Sequence, residues 1–232
     1  MSRQLPLALR YPPDQRFETF VGAPPGALEQ LRALAAGSGG DWLYLDGAAG
    51  TGKTHLLLAA CAHAEAQGRS AAYLPMAAAV GRLGQALDAL DGMDLVALDG
   101  LERIAGDRGD EVALFEFHNR ARAAGAGVLY AATAAPSALP PGLADLRSRL
   151  AQCVRIPLQP LDDGGRAEVL RLRARRRGLQ FDEAAIAWLL KRAERDLAGL
   201  TAQLDALDRA SLAAQRRVTV PFLREVLGNA GG

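Results

Sequence analysis

The chain has 232 residues, half of them apolar and 23% charged, with a formal net charge of +1. That is the composition of a soluble globular protein with room for one ordinary domain and a smaller one. So small a charge excludes a global electrostatic case for binding nucleic acid or a membrane surface.

In chain order, the first twenty-odd residues read as irregular, because Pro6, Pro12 and Pro13 forbid a helix. The apolar run Leu5 to Leu9 is broken by Pro6 and closed by Arg10, too short for a secretory signal. Leu28, Leu31 and Leu34 predict a short helix that ends at Gly37-Ser38-Gly39-Gly40. Trp42 to Leu45 reads as a strand, followed by a Gly-rich turn and a helix from about Gly52 to Gln67. Ala71 to Leu74 is a second strand, Leu83, Leu87 and Leu90 the stripe of a helix, and Leu95 to Leu98 a third, fully buried strand. A helix spans about Asp110 to Ala124, a fourth strand Val128 to Ala132, and a fifth Val154 to Ile156. The uncharged stretch Ala123 to Ala144 has the length of a membrane span, but Pro136, Pro140 and Pro141 make it a strand and a loop. Strands alternating with helices predict a parallel sheet covered on both faces. After Pro160 the texture becomes helical, with segments near Arg166–Arg177, Asp182–Ala193, Leu197–Gln215 and Thr219–Leu227, and Thr219 and Pro221 read as cap and first-turn proline. Cys61 and Cys153 read as buried free thiols of a reducing, cytoplasmic compartment. His55, His63 and His118 read as packing or surface residues, with no metal spacing.

The strongest signal is Gly47-Ala48-Ala49-Gly50-Thr51-Gly52-Lys53-Thr54, a complete phosphate-binding loop between a strand and a helix. Glycines let backbone N–H groups turn inward toward phosphate oxygens, and the helix N-terminus adds partial positive charge. Lys53 would reach the β- and γ-phosphates of ADP or ATP, and the Thr54 hydroxyl would ligate Mg. Leu95-Val96-Ala97-Leu98-Asp99 is the companion, an apolar strand ending in an acid that would hold Mg through water. One residue later stands Gly100, where a second acid would polarise water for hydrolysis. Glu102 is the nearest acid, and a regular chain would point it elsewhere, so weak or absent self-hydrolysis is expected.

Gly50 to Leu57, Asp145-Leu146-Arg147-Ser148-Arg149-Leu150, Leu189 to Arg192 and Leu207 to Ser211 resemble the DnaA family of AAA+ proteins. Within it, the chain is similar to the Hda branch, which lacks the initiator's N-terminal and helix-turn-helix domains and inactivates the initiator after replication begins. The resemblance implies an α/β P-loop AAA+ domain with a parallel sheet covered by helices, followed by a small all-α lid. The expected division is a tail at 1–20, the AAA+ body at 21–160 and the lid at 161–232. It also implies that Gln4, Leu5, Leu7 and Leu9 form a peptide that docks on the DNA polymerase sliding clamp (beta subunit), with the Gln amide for hydrogen bonding and the leucines for an apolar pocket.

Further site assignments rest on the same resemblance. Arg149 takes the place of the arginine finger that reaches a neighbour's nucleotide, a role in which a planar, permanent charge neutralises phosphate oxygens; from sequence alone it equally reads as a surface Arg. Thr133 occupies the first-sensor position, and His55 follows the loop among the nucleotide-contacting residues. The second-sensor arginine aligns with Ala198, which has no charge, and Arg195 one turn earlier is a substitute. The arginines at 166, 171, 173, 175, 176 and 177 read either as a solvated face or as contacts to nucleotide, DNA or an acidic partner. The implied function is a clamp-tethered negative regulator that stimulates hydrolysis of ATP on the initiator DnaA, reaching DNA indirectly through the clamp, with no membrane partner and homo-oligomerisation left open. The alternative is an autonomous AAA+ ATPase or helicase-loader-like protein of DNA replication.

Overall fold

The apolar runs become five strands: β1 (Leu43–Asp46), β2 (Ala71–Pro75), β3 (Leu95–Asp99), β4 (Gly127–Ala132) and β5 (Val154–Pro157). The structure is a computed structural model that describes residues 12, 14–139, 142, 144–192, 207 and 218–228. All four strand pairings are parallel, in the spatial order β2-β3-β4-β1-β5. Every residue of β1 and β4 is buried, whereas the outer strands β2 and β5 are mostly half-buried or exposed. Central strands covered on both faces are uninterruptedly apolar for this reason.

Helices α1 (Ala27–Ala36), α2 (Lys53–Ala66), α3 (Leu83–Asp88), α4 (Arg108–Ala123) and α5 (Ala144–Ala151) complete the body. Its core gathers Leu31, Tyr44, Leu56, Leu57, Leu98, Phe117 and Tyr130 from helices and sheet. Each Leu so buried stabilises the fold by about 1.5–3 kcal/mol relative to exposure. A second, separate core joins α6 (Asp163–Arg176), α7 (Glu183–Arg192) and α8 (Val220–Gly228) through Leu170, Ile186, Leu189, Leu207, Phe222 and Leu223. This is the α/β body followed by a helical unit that the sequence predicts. Among the described residues, no helix is long and apolar enough to cross a membrane.

Three boundaries differ from expectation, each for a local reason. Helix α3 stops at Asp88, so Leu90 falls in the turn that Gly92 completes at φ +87°. Helix α6 starts three residues before Arg166, because the Asp162 carboxylate accepts the Gly165 N–H at 2.7 Å, a cap masked in sequence by Gly164 and Gly165. Residues Phe17–Thr19 form a single tight turn instead of an irregular stretch, with the Thr19 hydroxyl accepting the Arg16 N–H and donating to the Asp14 carbonyl. The third helix expected for the lid lies outside the described residues except for Leu207, which is helical and fully buried.

Candidate nucleotide-binding site

The strand order seats β4 between β1 and β3, so three carboxyl-end loops meet at one edge of the sheet, where ligands of open α/β folds bind. The loop 47–52 leaves β1 and Asp99 ends β3, with Thr133 just past β4. Backbone bonds lock them together: Gly47 N–H donates to the Ala132 carbonyl and Gly100 N–H to that of Ala131. The result is a cleft of about 680 Å³ lined by Gly50, Thr51, Gly52, Lys53, Thr54, His55, Asp99, Glu102 and Thr133. That volume suits a small-molecule ligand.

Gly52 has φ +91°, and a Cβ there would lie 2.5 Å from the Phe20 ring. Both facts reserve the position for glycine, since the loop turns sharply beneath the segment that precedes α1. Gly47, outside the cleft lining, faces the Leu158 carbonyl at a distance that leaves no room for a side chain. Lys53 is only 9% exposed, and its ammonium donates to the carbonyls of Gly47 at 2.6 Å and Ala48 at 2.9 Å. Burial lowers its pKa, opposed by the charges of Glu102, Asp99 and Asp46. The Thr54 hydroxyl donates to Asp99 Oδ2 at 2.6 Å, and the Tyr73 hydroxyl reaches the same oxygen at 2.9 Å. Burial, then the Asp99 charge, raises the Tyr73 pKa well above its ordinary value, which keeps it a donor.

These donors fit a nucleotide with Mg. Thr54 and Asp99 offer two hard oxygens side by side, which suits an ion that retains water and takes its other ligands from phosphates. No cluster of three or more His, Cys, Asp or Glu residues that could cage a metal occurs among the described residues. His55 lines the cleft, but its ring is committed: Nε2 lies 2.8 Å from the Arg16 carbonyl, and the ring meets Phe20 edge-on at 5.3 Å. His63 packs against Phe17, and His118 is buried against Trp42.

Glu102 overturns a sequence expectation. The chain after Asp99 is not regular: Gly100 takes φ +84° and starts a tight turn over Leu101–Arg103. This swings Glu102 into the cleft, where its carboxylate accepts the Thr133 N–H at 3.1 Å. Sequence reasoning also missed Tyr73, which reaches Asp99 from the neighbouring strand, and the bidentate pair of Arg155 with Asp46 at 2.5 and 2.8 Å. A Gly placed directly after the strand acid was the one available signal for the Glu102 turn.

Arg149 is exposed in the last turn of α5, and among the described residues its guanidinium has no ion pair or hydrogen-bond partner. It is not in the cleft. Arg147 is also exposed, beside Leu146 and Leu150. Gln4, Leu5, Leu7, Leu9, Arg195 and Ala198 lie outside the described residues.

Residues 163–227 match the family model described as Hda, lid domain. The fold is similar to domain III of the replication initiation protein DnaA from Thermotoga maritima, with a TM-score of 0.77 and 19% identity over 94% of this chain and 98% of that one. AMPPCP-bound DnaA from Aquifex aeolicus gives 0.70 and 22% identity over 84% of this chain. The match spans 65% of that DnaA chain, just under two thirds of it. The RuvB Holliday junction branch migration motor of T. maritima gives 0.68 and 17% identity, over 94% of this chain and 72% of that one. Residues 163–227 thus match an Hda-type lid, and they follow a body with the fold seen in DnaA and RuvB.

Proposed function

We propose that the chain is a negative regulator of chromosomal replication initiation. It binds ADP or ATP with Mg, is tethered to the sliding clamp, and stimulates hydrolysis of ATP held by the initiator DnaA. The observation that carries this reading is the contrast between two cations. Lys53 is buried in the cleft with its ammonium on loop carbonyls, whereas Arg149 is exposed, outside the cleft and without a partner among the described residues. Lys53 is thus available to the chain's own ligand and Arg149 to another molecule's.

In this mechanism Lys53 and the loop N–H groups hold the phosphates, and Thr54 and Asp99 hold Mg, which neutralises phosphate charge when bound. Thr133, at the end of β4, contributes a hydroxyl at the cleft edge. Arg149 is the catalytic group, acting in trans: its guanidinium enters the initiator's site and stabilises charge on the transferring phosphoryl group. Gln4, Leu5, Leu7 and Leu9 dock on the clamp and so concentrate the chain at DNA, where its partner works in the cytoplasm. The test is turnover of initiator-bound ATP in a reconstituted system, with and without clamp loaded on DNA. Turnover that does not respond to this chain would sink the reading.

The position of Glu102 favours a second reading, that of an autonomous ATPase. A carboxylate inside the cleft is a possible general base, though it is engaged by the Thr133 N–H. A steady-state assay on the isolated chain separates the two. Turnover that Glu102→Gln removes supports the autonomous enzyme, and no turnover supports the regulator.

A further inference from the structure

Two elements hold Asp99 at once. Its Oδ2 accepts the Thr54 hydroxyl from α2 at 2.6 Å and the Tyr73 hydroxyl from β2 at 2.9 Å. Strand pairing explains the second contact. Tyr73 is in register with Ala97, and side chains alternate along a strand, so Tyr73, Ala97 and Asp99 share one face of the sheet. Strand side chains lean along the strand direction, and the small Ala97 leaves the phenol ring room to lean toward Asp99 at the strand end. Tyr73 is half-buried and packs against the body's core, and it is not among the residues that line the cleft. It meets Asp99 from behind, while Thr54 and Asp99 line the cleft itself.

We propose that Tyr73 is a positioning residue for Mg: its hydroxyl holds the Asp99 carboxylate in the orientation that keeps Oδ2 on Thr54 and leaves Oδ1 free for the ion that accompanies the nucleotide. This deepens the nucleotide-binding part of the function proposed above and rests on it. Each carboxylate oxygen has about two lone-pair sites, so two hydroxyl donors fill Oδ2. Oδ1 has no hydrogen-bond partner among the described residues. Thr54 gives its proton to Asp99 and so keeps its own lone pairs for a metal. Without the phenol, Oδ2 regains a free lone pair and the carboxylate can turn. A neutral donor suits the task, because a cation at position 73 would offset the negative charge that attracts Mg. Groups that touch neither ion nor ligand, but orient the residues that do, change metal affinity by about tenfold to a hundredfold when lost.

Calorimetry of the full chain with ADP and with ATP, in Mg and in EDTA, tests the role. Tyr73→Phe keeps the ring and removes only the hydroxyl. It should lower the gain in affinity that Mg gives by about tenfold or more, and leave affinity in EDTA at the wild-type value. Tyr73→Leu should show the same split, and carries the expectation should Tyr73→Phe fail to fold. Tyr44→Phe is the control. It removes another phenol of the same sheet, one that donates to the Ala134 carbonyl at 2.9 Å, and neither residue lines the cleft. Its Mg response should match wild type; an equal loss there would mean that the sheet, not the Tyr73 hydroxyl, sets the response. If Tyr73→Phe responds to Mg as wild type does, or loses affinity equally in EDTA, the positioning role is wrong. Loss of the Mg response in Asp99→Asn alone would then show that the ion's site stands without Tyr73. If the wild-type chain binds ADP and ATP no better in Mg than in EDTA, the Mg site and the role of Tyr73 fall together. If it binds neither nucleotide, the reading beneath them falls as well.

Discussion

The nucleotide cleft and the exposed face of α5 hold their charges in opposite ways. In the cleft Lys53, Thr54, Asp99 and Glu102 are already engaged by the chain itself. Lys53 rests on two carbonyls, Asp99 on Thr54 and Tyr73, and Glu102 on the Thr133 N–H. Such bonds cost little reorganisation when a ligand replaces one partner by another, and they hold side chains near their working geometry. On α5 the two arginines are exposed, with Leu146 and Leu150 turned to the core to fix the helix. A cation held ready by its helix but unengaged among the described residues is suited to a site on a second molecule. Preorganisation serves the first region and availability the second.

The largest expected effect bears on the second region. Arg149→Ala should reduce stimulated hydrolysis of initiator-bound ATP by about a thousandfold or more, as fingers supplied in trans do. It should leave the chain's own nucleotide affinity unchanged. Arg149→Lys should recover little, since an ammonium lacks the fork. Arg147→Ala is the control, two residues away with a charge of the same sign. Loss of stimulation in Arg147→Ala but not in Arg149→Ala would move the finger to Arg147.

Gln4, Leu5 and Leu7 belong to neither region, and replacing all three by Ala should spare both. Clamp affinity should fall by about 4 kcal/mol, the scale of losing a few anchor residues. Co-elution of the triple variant with clamp at wild-type levels would put the tether elsewhere. In the cleft, Lys53→Ala should weaken ADP and ATP binding on the order of a hundredfold, from the loss of charged hydrogen bonds to phosphate. Unchanged calorimetry on a folded Lys53→Ala protein would show that the cleft is not organised around a polyanion.

How much of this was legible in sequence depends on how local each cause is. The loop, the apolar strands and the two textures of the chain are local patterns, and the structure has them within a few residues. Lys53, Thr54 and Asp99 follow from the loop and from the strand that ends in an acid. What the sequence hides is non-local or chiral. Tyr73 reaches Asp99 because β2 lies beside β3, with Pro75 in register with Asp99. Arg155 meets Asp46 only because β5 pairs with β1. Glu102 turns inward through a single left-handed residue, Gly100, which reverses the direction that a regular chain would give.

The smallest predicted effect bears on the second region through His118. Its ring lies on α4 between Trp42, with centroids 4.5 Å apart, and Tyr130, whose hydroxyl is 3.0 Å from Nδ1. Burial, helped by the positive charges of Arg149 and Arg122, pushes its pKa down from 6.5 to about 4. In the folded protein the ring is therefore neutral through mildly acidic pH, whereas in the unfolded chain it takes up a proton as pH falls below 6.5. Between these two values the unfolded state binds more protons, so stability is full above 6.5 and declines as pH falls toward 4. His118→Gln keeps a hydrogen-bonding group beside Tyr130 and should flatten this part of the stability profile, measured by urea unfolding at a series of pH values. Carboxylates contribute their own slope at the acid end, so the comparison is between the variant and wild type in the window from 6.5 to 5. Arg149→Ala removes one of the two cations acting on the ring and should raise the His118 pKa, observable in the ring proton shifts by NMR. A His118 titration unchanged by Arg149→Ala would mean that the Arg149 guanidinium spends its time extended away from α4 into solvent. The Arg149 guanidinium would then be more available to a second molecule, and the contrast between cleft and helix would sharpen.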